Sequence, residues 1–331
     1  MSQHLSPLVS VIIPVYNGAK LIVEAIDSVL KQTYRNIEII IIDDGSTDTT
    51  KLVIESLVTQ GKVKYFYQKN KGLPAARNTG ISKSSGQYIK FLDCDDLLNP
   101  QQIQLQVEHL INKQKTISIT DHILRYNDGR EIISATNLNA EDQLGRFIRQ
   151  NFVPVHSVLV ERSLLIEAHG FDESLIALED ADLWIRLILL GSHFEKVDYV
   201  GCIYRILDSS MSADAKKMFL MKCKIAEKIN ILLKEERYAI SINPSAFDSI
   251  LSSNTKLIEG CFARRINVTS LLSKTLVVTK DFFNNYSRGI KKIFIALVGV
   301  QCFVFIKFKL NCLLKKDYAQ KILFDEISWR N

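Results

Sequence analysis

The chain has 331 residues, 47% hydrophobic and 24% charged, which excludes a long disordered polypeptide and allows one sizeable α/β domain with an appended segment, or two domains. Its net charge of +6 is unevenly placed: residues 212–331 hold 21 Lys/Arg against 10 Asp/Glu, whereas residues 1–211 hold 21 against 26. The basic last third points to an anionic partner, membrane phospholipid ahead of nucleic acid, because no base-reading or RNA-binding motif accompanies the charge.

Six cysteines (Cys94, Cys202, Cys223, Cys261, Cys302, Cys312) are scattered without CxxC or metal-ligand spacing, as expected of free thiols in a reducing compartment. Met1–Leu8 lacks the basic segment and apolar run of a secretory signal, so the expected location is the cytoplasm.

In chain order, Leu8–Val15 reads as a first strand and Ala19–Lys31 as a helix with Leu21, Ile22, Ala25, Ile26, Val29 and Leu30 on one face. Ile37–Ile42, dominated by isoleucine, suits a strand buried on both faces and ends in Asp43-Asp44-Gly45-Ser46-Thr47-Asp48. A helix over Asp48–Gln60, a strand over Val63–Tyr67, a helix over Pro74–Lys83 and a strand over Tyr88–Leu92 continue the βαβ alternation. The last strand runs into Asp93-Cys94-Asp95-Asp96. Ligands of open α/β sheets bind beyond the carboxyl ends of the strands, so both acidic clusters are expected to face one crevice.

A helix over Asn99–Lys113, a strand around Ser118–Thr120 and an Asn127-Asp128-Gly129 hairpin turn follow. Residues 140–211 read as helix, strand, helix, with Val155–Val160 strand-like and Ala181–Leu190 helical. His156, on that apolar segment, reads as a structural histidine. Long helical patterns take over after about residue 212, dividing the chain into a domain over 1–211 and a basic helical region over 212–331. Within the latter, Ile293–Ile306 is an apolar run of fourteen residues flanked by Lys291, Lys292, Lys307 and Lys309. A spanning helix needs about 20 residues, so an interfacial or a buried helix fits it better.

Three aspartates within four residues repel one another, and a divalent cation relieves that cost; Mn2+ or Mg2+ favours one or two carboxylates plus phosphate oxygens and water. Asp93 and Asp95 are candidate ligands. In isolation a turn and helix cap explain Asp-Gly-Ser-Thr-Asp more readily than a binding role does; helix N-terminal acids are the alternative for Asp93 and Asp95, with Asp96 or Asn99 as cap, and for Glu179, Asp180 and Asp182.

Six blocks in order resolve these alternatives: Val11-Ile12-Ile13-Pro14-Val15-Tyr16-Asn17-Gly18, Ile42 to Asp48, Gly72-Leu73-Pro74-Ala75-Ala76-Arg77-Asn78, Phe91 to Asp96, Gly170-Phe171-Asp172-Glu173 and Glu179-Asp180-Ala181-Asp182-Leu183-Trp184. Over about residues 8–211 the sequence resembles the family 2 glycosyltransferases of GT-A fold, with a mixed, mostly parallel sheet flanked by helices. The resemblance implies inverting transfer of a sugar from a nucleotide-sugar donor, UDP-sugar by family habit, to a saccharide or lipid-linked saccharide acceptor in surface polysaccharide synthesis at the inner membrane face. It implies that Pro14, Tyr16, Asp43 and Asp44 border base and ribose, that Asp95 binds the metal and Asp93 the metal or ribose, and that Asp180 beside Glu179 is the catalytic base. Arg77 either meets the donor or ties down a loop, and Trp184 either lines the acceptor pocket or packs in the core. Many relatives carry a histidine two residues past the position of Arg205; here it is Leu207, so Arg205 or a residue near Ser209-Ser210-Met211-Ser212 takes over that contact, or the metal is held less tightly.

Two rival enzyme classes fit less well. A sugar-1-phosphate nucleotidyltransferase requires a glycine-rich basic loop after the first strand, and a dehydrogenase requires G-x-G-x-x-G there; neither is present. An inactive sugar-nucleotide-binding relative or scaffold is the non-enzyme alternative.

Overall fold

Strand β1 (Val9–Val15) is buried along its whole length because both of its faces are covered. Val9, Val11, Ile13 and Val15 pack in one apolar layer with Ile22, Ala25, Ile26 and Val29 of α1 (Ile22–Leu30). Ile12 belongs to the opposite layer with Ile40 and Ile42 of β2 (Ile37–Asp43). Successive side chains of a strand alternate between faces, so an unbroken apolar run is what a sheet covered on both sides requires. The computed structural model describes residues 6–136, 138, 143–149, 153–207, 214–232 and 253, all within the first of two compact units, Met1–Asn254.

β1 pairs in parallel with β2 and with β4 (Tyr88–Phe91), and β2 with β3 (Lys64–Tyr67). α2 (Thr50–Thr59) and α3 (Leu73–Lys83) make the crossovers. The carboxyl ends of β1, β2 and β4 therefore share one edge, and Tyr16, Asp44 and Asp93 follow directly from them. Beyond β4 come β5 (Leu97–Leu98), α4 (Gln102–Leu110), β6 (Thr116–Tyr126), β7 (Glu131–Ser134), α5 (Gln143–Arg149), β8 (Val158–Glu161), α6 (Arg162–Glu167), α7 (Glu179–Leu189), β9 (His193–Ile206) and α8 (Ala215–Leu232). The nine-stranded sheet runs β3-β2-β1-β4-β8-β6-β9-β5, with β7 on the side of β6. β8 is antiparallel to both β4 and β6, whereas β6 and β9 are parallel, giving the mixed, mostly parallel sheet expected.

Two segments depart from the sequence reading. Val155–Ser157 is a 3-10 turn rather than the start of a strand: Pro154 precedes it, and Gln102 and Gln106 of α4 donate to the carbonyls of His156 and Ser157 at 3.1 and 2.9 Å. β9 was not anticipated. Its pairing with β6 shifts register around Asp121, which breaks the period-two pattern by which a half-buried strand is recognised.

α8 lies on the C-terminal side of the boundary expected near 212, and its Ile225, Ile229 and Leu232 join the apolar layer of α7. Lys228 meets Asp172 and Asp182, both at 2.8 Å. No helix among the described residues is long and apolar enough to cross a membrane. Ile293–Ile306 and the contacts expected of Ser209–Ser212 lie outside the described residues.

α3 approaches β1 closely at Gly80, where a Cβ would stand 2.3 Å from Ile12 Cγ2. Gly80→Ala should lower stability by about 1–3 kcal/mol through overpacking, measured by urea denaturation. Full stability in the variant would contradict this packing.

Candidate active site

The loops after β1 and β2 are built against each other. Asn17, at φ 53°, accepts from the amides of Thr47 and Asp48 at 2.8 and 3.2 Å, while its own amide donates to Ser46 Oγ at 2.9 Å. Asp43 accepts from the Ser46 amide and the Tyr65 hydroxyl, both at 2.7 Å. Asp44 accepts from Gln68 Nε2 at 2.7 Å and from the amides of Lys71 and Gly72 at 2.9 and 2.8 Å. Both carboxylates thus shape the loops, and Asp44 also faces the cavity described below.

Arg77, on α3, is buried and joins two of the acidic motifs. Its guanidinium donates to Asp93 Oδ1 at 2.7 Å and to Glu179 Oε1 at 2.6 Å, and lies 5.3 Å from the centre of the Phe171 ring. Burial works against its charge, but the Asp93 and Glu179 carboxylates outweigh it and hold the pKa above the ordinary arginine value. Its planar fork engages the two carboxylates in fixed directions, one through each terminal nitrogen. Leu178, at φ 59°, turns the chain into α7 so that Glu179 meets Arg77 while Asp180 borders the cavity.

Behind Asp93 sits a second charged pair. Asp96, fully buried, accepts from the Arg205 amide at 2.8 Å, and its other oxygen lies 3.0 Å from His156 Nδ1. Burial favours the neutral imidazole, but the Asp96 carboxylate overrides it and raises the His156 pKa well above 6.5. Ligand atoms of Asp93, Asp96 and His156 lie within 4.8 Å of one another, spacing fit for a cation. Asp95 borders the same cavity outside this cluster; burial, then the charges of Asp96 and Asp93, push its pKa up to about 7.

A cavity of about 580 Å3 gathers these groups: Pro14, Tyr16, Asp44, Arg77, Asp93, Asp95, Glu179 and Asp180 all line it, together with His122, His156 and Tyr204. Three residues assigned to substrate stand elsewhere. Asp43 is the last residue of β2 and is hydrogen-bonded to Ser46 and Tyr65 outside the cavity lining. Trp184 is a core residue: it is fully buried, donates to the Val153 carbonyl at 3.3 Å and packs edge-on against Phe194. Arg205 directs its guanidinium to Glu24 at 2.8 Å rather than into the cavity. Asp96 is enclosed beside His156 rather than capping a helix, and α4 begins without a side-chain cap. With leucine at 207, the imidazole near the aspartates comes from His156, whose signal in the sequence was no stronger than that of any buried histidine.

The profile of glycosyl transferase family 2 matches residues 10–165. Among similar curated proteins are an uncharacterized glycosyltransferase of Rickettsia typhi, 38% identical over 56% of this chain and 60% of its own length, and a chondroitin synthase of Escherichia coli, 31% identical over 65% of this chain and 31% of its own. The chain spans 29–62% of the length of the five rickettsial relatives it matches. Among solved structures, Staphylococcus aureus TarS 1–349 shares the fold at a TM-score of 0.54 and 18% identity, covering 85% of this chain and 93% of that one. The same protein has been solved with UDP-GlcNAc, and superposes equally at 17% identity. The fold is GT-A, and residues 10–165 belong to glycosyl transferase family 2.

Removing Arg77 leaves Glu179 buried and unpaired, so Arg77→Ala should cost about 3–5 kcal/mol in urea denaturation; a loss below 1 kcal/mol would show that the bridge is dispensable. Asp95 gives a pH signature. The unfolded carboxyl titrates near 3.8 and the folded one near 7, so the native state binds the extra proton between these values and stability falls as pH rises through that window. Metal-free protein should lose more melting temperature between pH 4 and pH 8 than Asp95→Asn does. Equal losses in the two would contradict the crowding of charge.

Proposed function

We propose that the chain is an inverting, metal-dependent glycosyltransferase that moves a sugar from a nucleoside-diphosphate donor, a UDP-sugar, to a hydroxyl of a saccharide or lipid-linked saccharide acceptor. The observation that supports this reading most strongly is the single cavity bordered at once by Asp44, Asp93, Asp95 and Asp180. These groups come from two strand ends and a helix start, and separate structural needs give them no reason to converge.

In this reading Tyr16, more than half exposed on the cavity wall, offers its ring to the base, with Pro14 and Asp44 beside it. Asp93, Asp96 and His156 would hold the divalent cation, Mn2+ or Mg2+, with Asp95 at the same opening and His156 giving up its proton to the incoming ion; carboxylate and neutral imidazole are a donor set both ions accept. When bound, the cation stabilises the charge that develops on the departing diphosphate. Arg77 keeps Asp93 oriented and places Glu179, and hence Asp180, relative to it. Asp180 takes the proton of the acceptor hydroxyl as its oxygen bonds to the anomeric carbon and the bond to the diphosphate breaks on the opposite face. One displacement inverts the configuration and releases the nucleoside diphosphate. Walls that exclude water protect the donor from hydrolysis.

A role in surface polysaccharide synthesis at the inner face of a membrane agrees with the basic character of residues 212–331, whose lysine-flanked apolar run suits an anionic surface. A base contributes about 10²- to 10⁴-fold to proton transfer. Asp180→Asn should therefore lower kcat at least about 100-fold, followed as UDP release with Mn2+, while UDP-sugar affinity by calorimetry stays within about twofold. Retained turnover in Asp180→Asn would remove the base assignment.

A further inference from the structure

One wall of the cavity is unused by the mechanism above. β6 directs His122 and Leu124 to a common side, two residues apart, as strand alternation requires. The register sets Ser134 of β7 opposite His122 and Tyr204 of β9 opposite Leu124, and all four border the cavity. The shifts in β6–β9 pairing fall just before His122, between Thr120 and Asp121 and between Asp121 and His122. Irregularities of this kind re-aim side chains beside functional sites.

His122 is 4% exposed, and its Nδ1 is enclosed without a hydrogen-bond partner among the described residues. A buried polar atom left unbonded calls for an explanation, and the side chain that carries it borders the cavity. Burial, followed by the charge of His156, presses the His122 pKa down to about 4, which favours the neutral imidazole. A neutral imidazole offers one donor and one acceptor, the complement of a hydroxyl. Ser134 adds a second hydroxyl-matching group, while Leu124 and Val153 supply apolar surface. A phosphate would call for cations here; a pyranose ring, with hydroxyls at its rim and C–H groups on its face, matches what is present.

We propose that His122, with Ser134 and Leu124, forms a saccharide subsite in which the imidazole recognises hydroxyls of a neutral pyranose ring. The proposal rests on the glycosyl-transfer reading and deepens it by naming a residue that selects the sugar. The ring is that of the donor or that of the acceptor, and the experiment separates the two.

The full chain, labelled with 15N-histidine, is titrated in Mg2+ with UDP, then with UDP-GlcNAc, UDP-glucose and UDP-galactose, and with the three free monosaccharides in the presence of UDP. His122 signals are assigned by their loss in His122→Gln. UDP alone should leave them in place. Movement with an intact UDP-sugar identifies the donor ring, and movement only with UDP plus monosaccharide identifies the acceptor ring. His122→Leu, which replaces an unbonded polar group by an apolar one of similar size, should keep its melting temperature and UDP affinity. It should weaken binding of the sugar that moves the signals by about 3- to 10-fold, the worth of one hydrogen bond. Signals unmoved by every sugar, or moved equally by UDP alone, overturn the subsite while leaving nucleotide binding standing. No UDP binding at all, seen as an unchanged spectrum and melting temperature, overturns the nucleotide-sugar reading and the subsite with it.

Discussion

The site depends on one buried cation, the guanidinium of Arg77. Its two contacts, to Asp93 and Glu179, connect the end of β4 to the start of α7, two motifs separated by more than eighty residues of sequence. Without it the acidic groups along this edge would repel one another with little to hold them in place, because burial removes the water that otherwise screens them. A lysine would satisfy the charge but not the geometry, since an ammonium lacks the planar fork that engages two carboxylates in fixed directions.

The fold makes this concentration of charge affordable. Apolar layers cover both faces of the β1–β2–β4 sheet, and the acidic groups gather at its carboxyl edge. Behind that edge a hydrogen-bonded framework fixes the 3-10 turn bearing His156. Lys90 donates to Gln106 Oε1 at 2.7 Å, and Gln106 in turn donates to the carbonyls of Ser118 and Ser157 at 3.0 and 2.9 Å. Gly201 completes the framework by leaving room for Gln102, since a Cβ there would meet Thr120 Oγ1 at 2.4 Å. The imidazole beside Asp96 therefore stands on a scaffold rather than on a loop free to adjust.

The sheet centre was legible because β-branched runs bounded by helical periodicity leave few alternatives for residues 9–91. The aspartates at 44, 93, 95 and 180 were legible because they sit in ordered motifs, and the cavity does bring them together. The rest depended on closure of the fold. Arg77 could be read equally as a donor contact or a tether, and its ion pairs with Asp93 and Glu179, invisible in the sequence, show it tying two segments together at the cavity wall. Trp184 has helical spacing on both readings, and its burial against Phe194 places it in the core. Asp96 and His156 carry no mutual signal sixty residues apart. His122 belongs to a strand whose pairing slips, so the face it shares with Leu124 emerges only once β7 and β9 are laid beside it.

The central claim is that carboxylates distant in sequence enclose a single cation-bound diphosphate. Crystals grown with UDP and Mn2+, measured at the manganese absorption edge, test it most directly. The account predicts one anomalous peak inside the cavity, bonded to the Asp93–His156 group and to the diphosphate, with Asp180 facing the same space. Manganese bound elsewhere, or UDP seated away from Asp44 and Asp93, would contradict it.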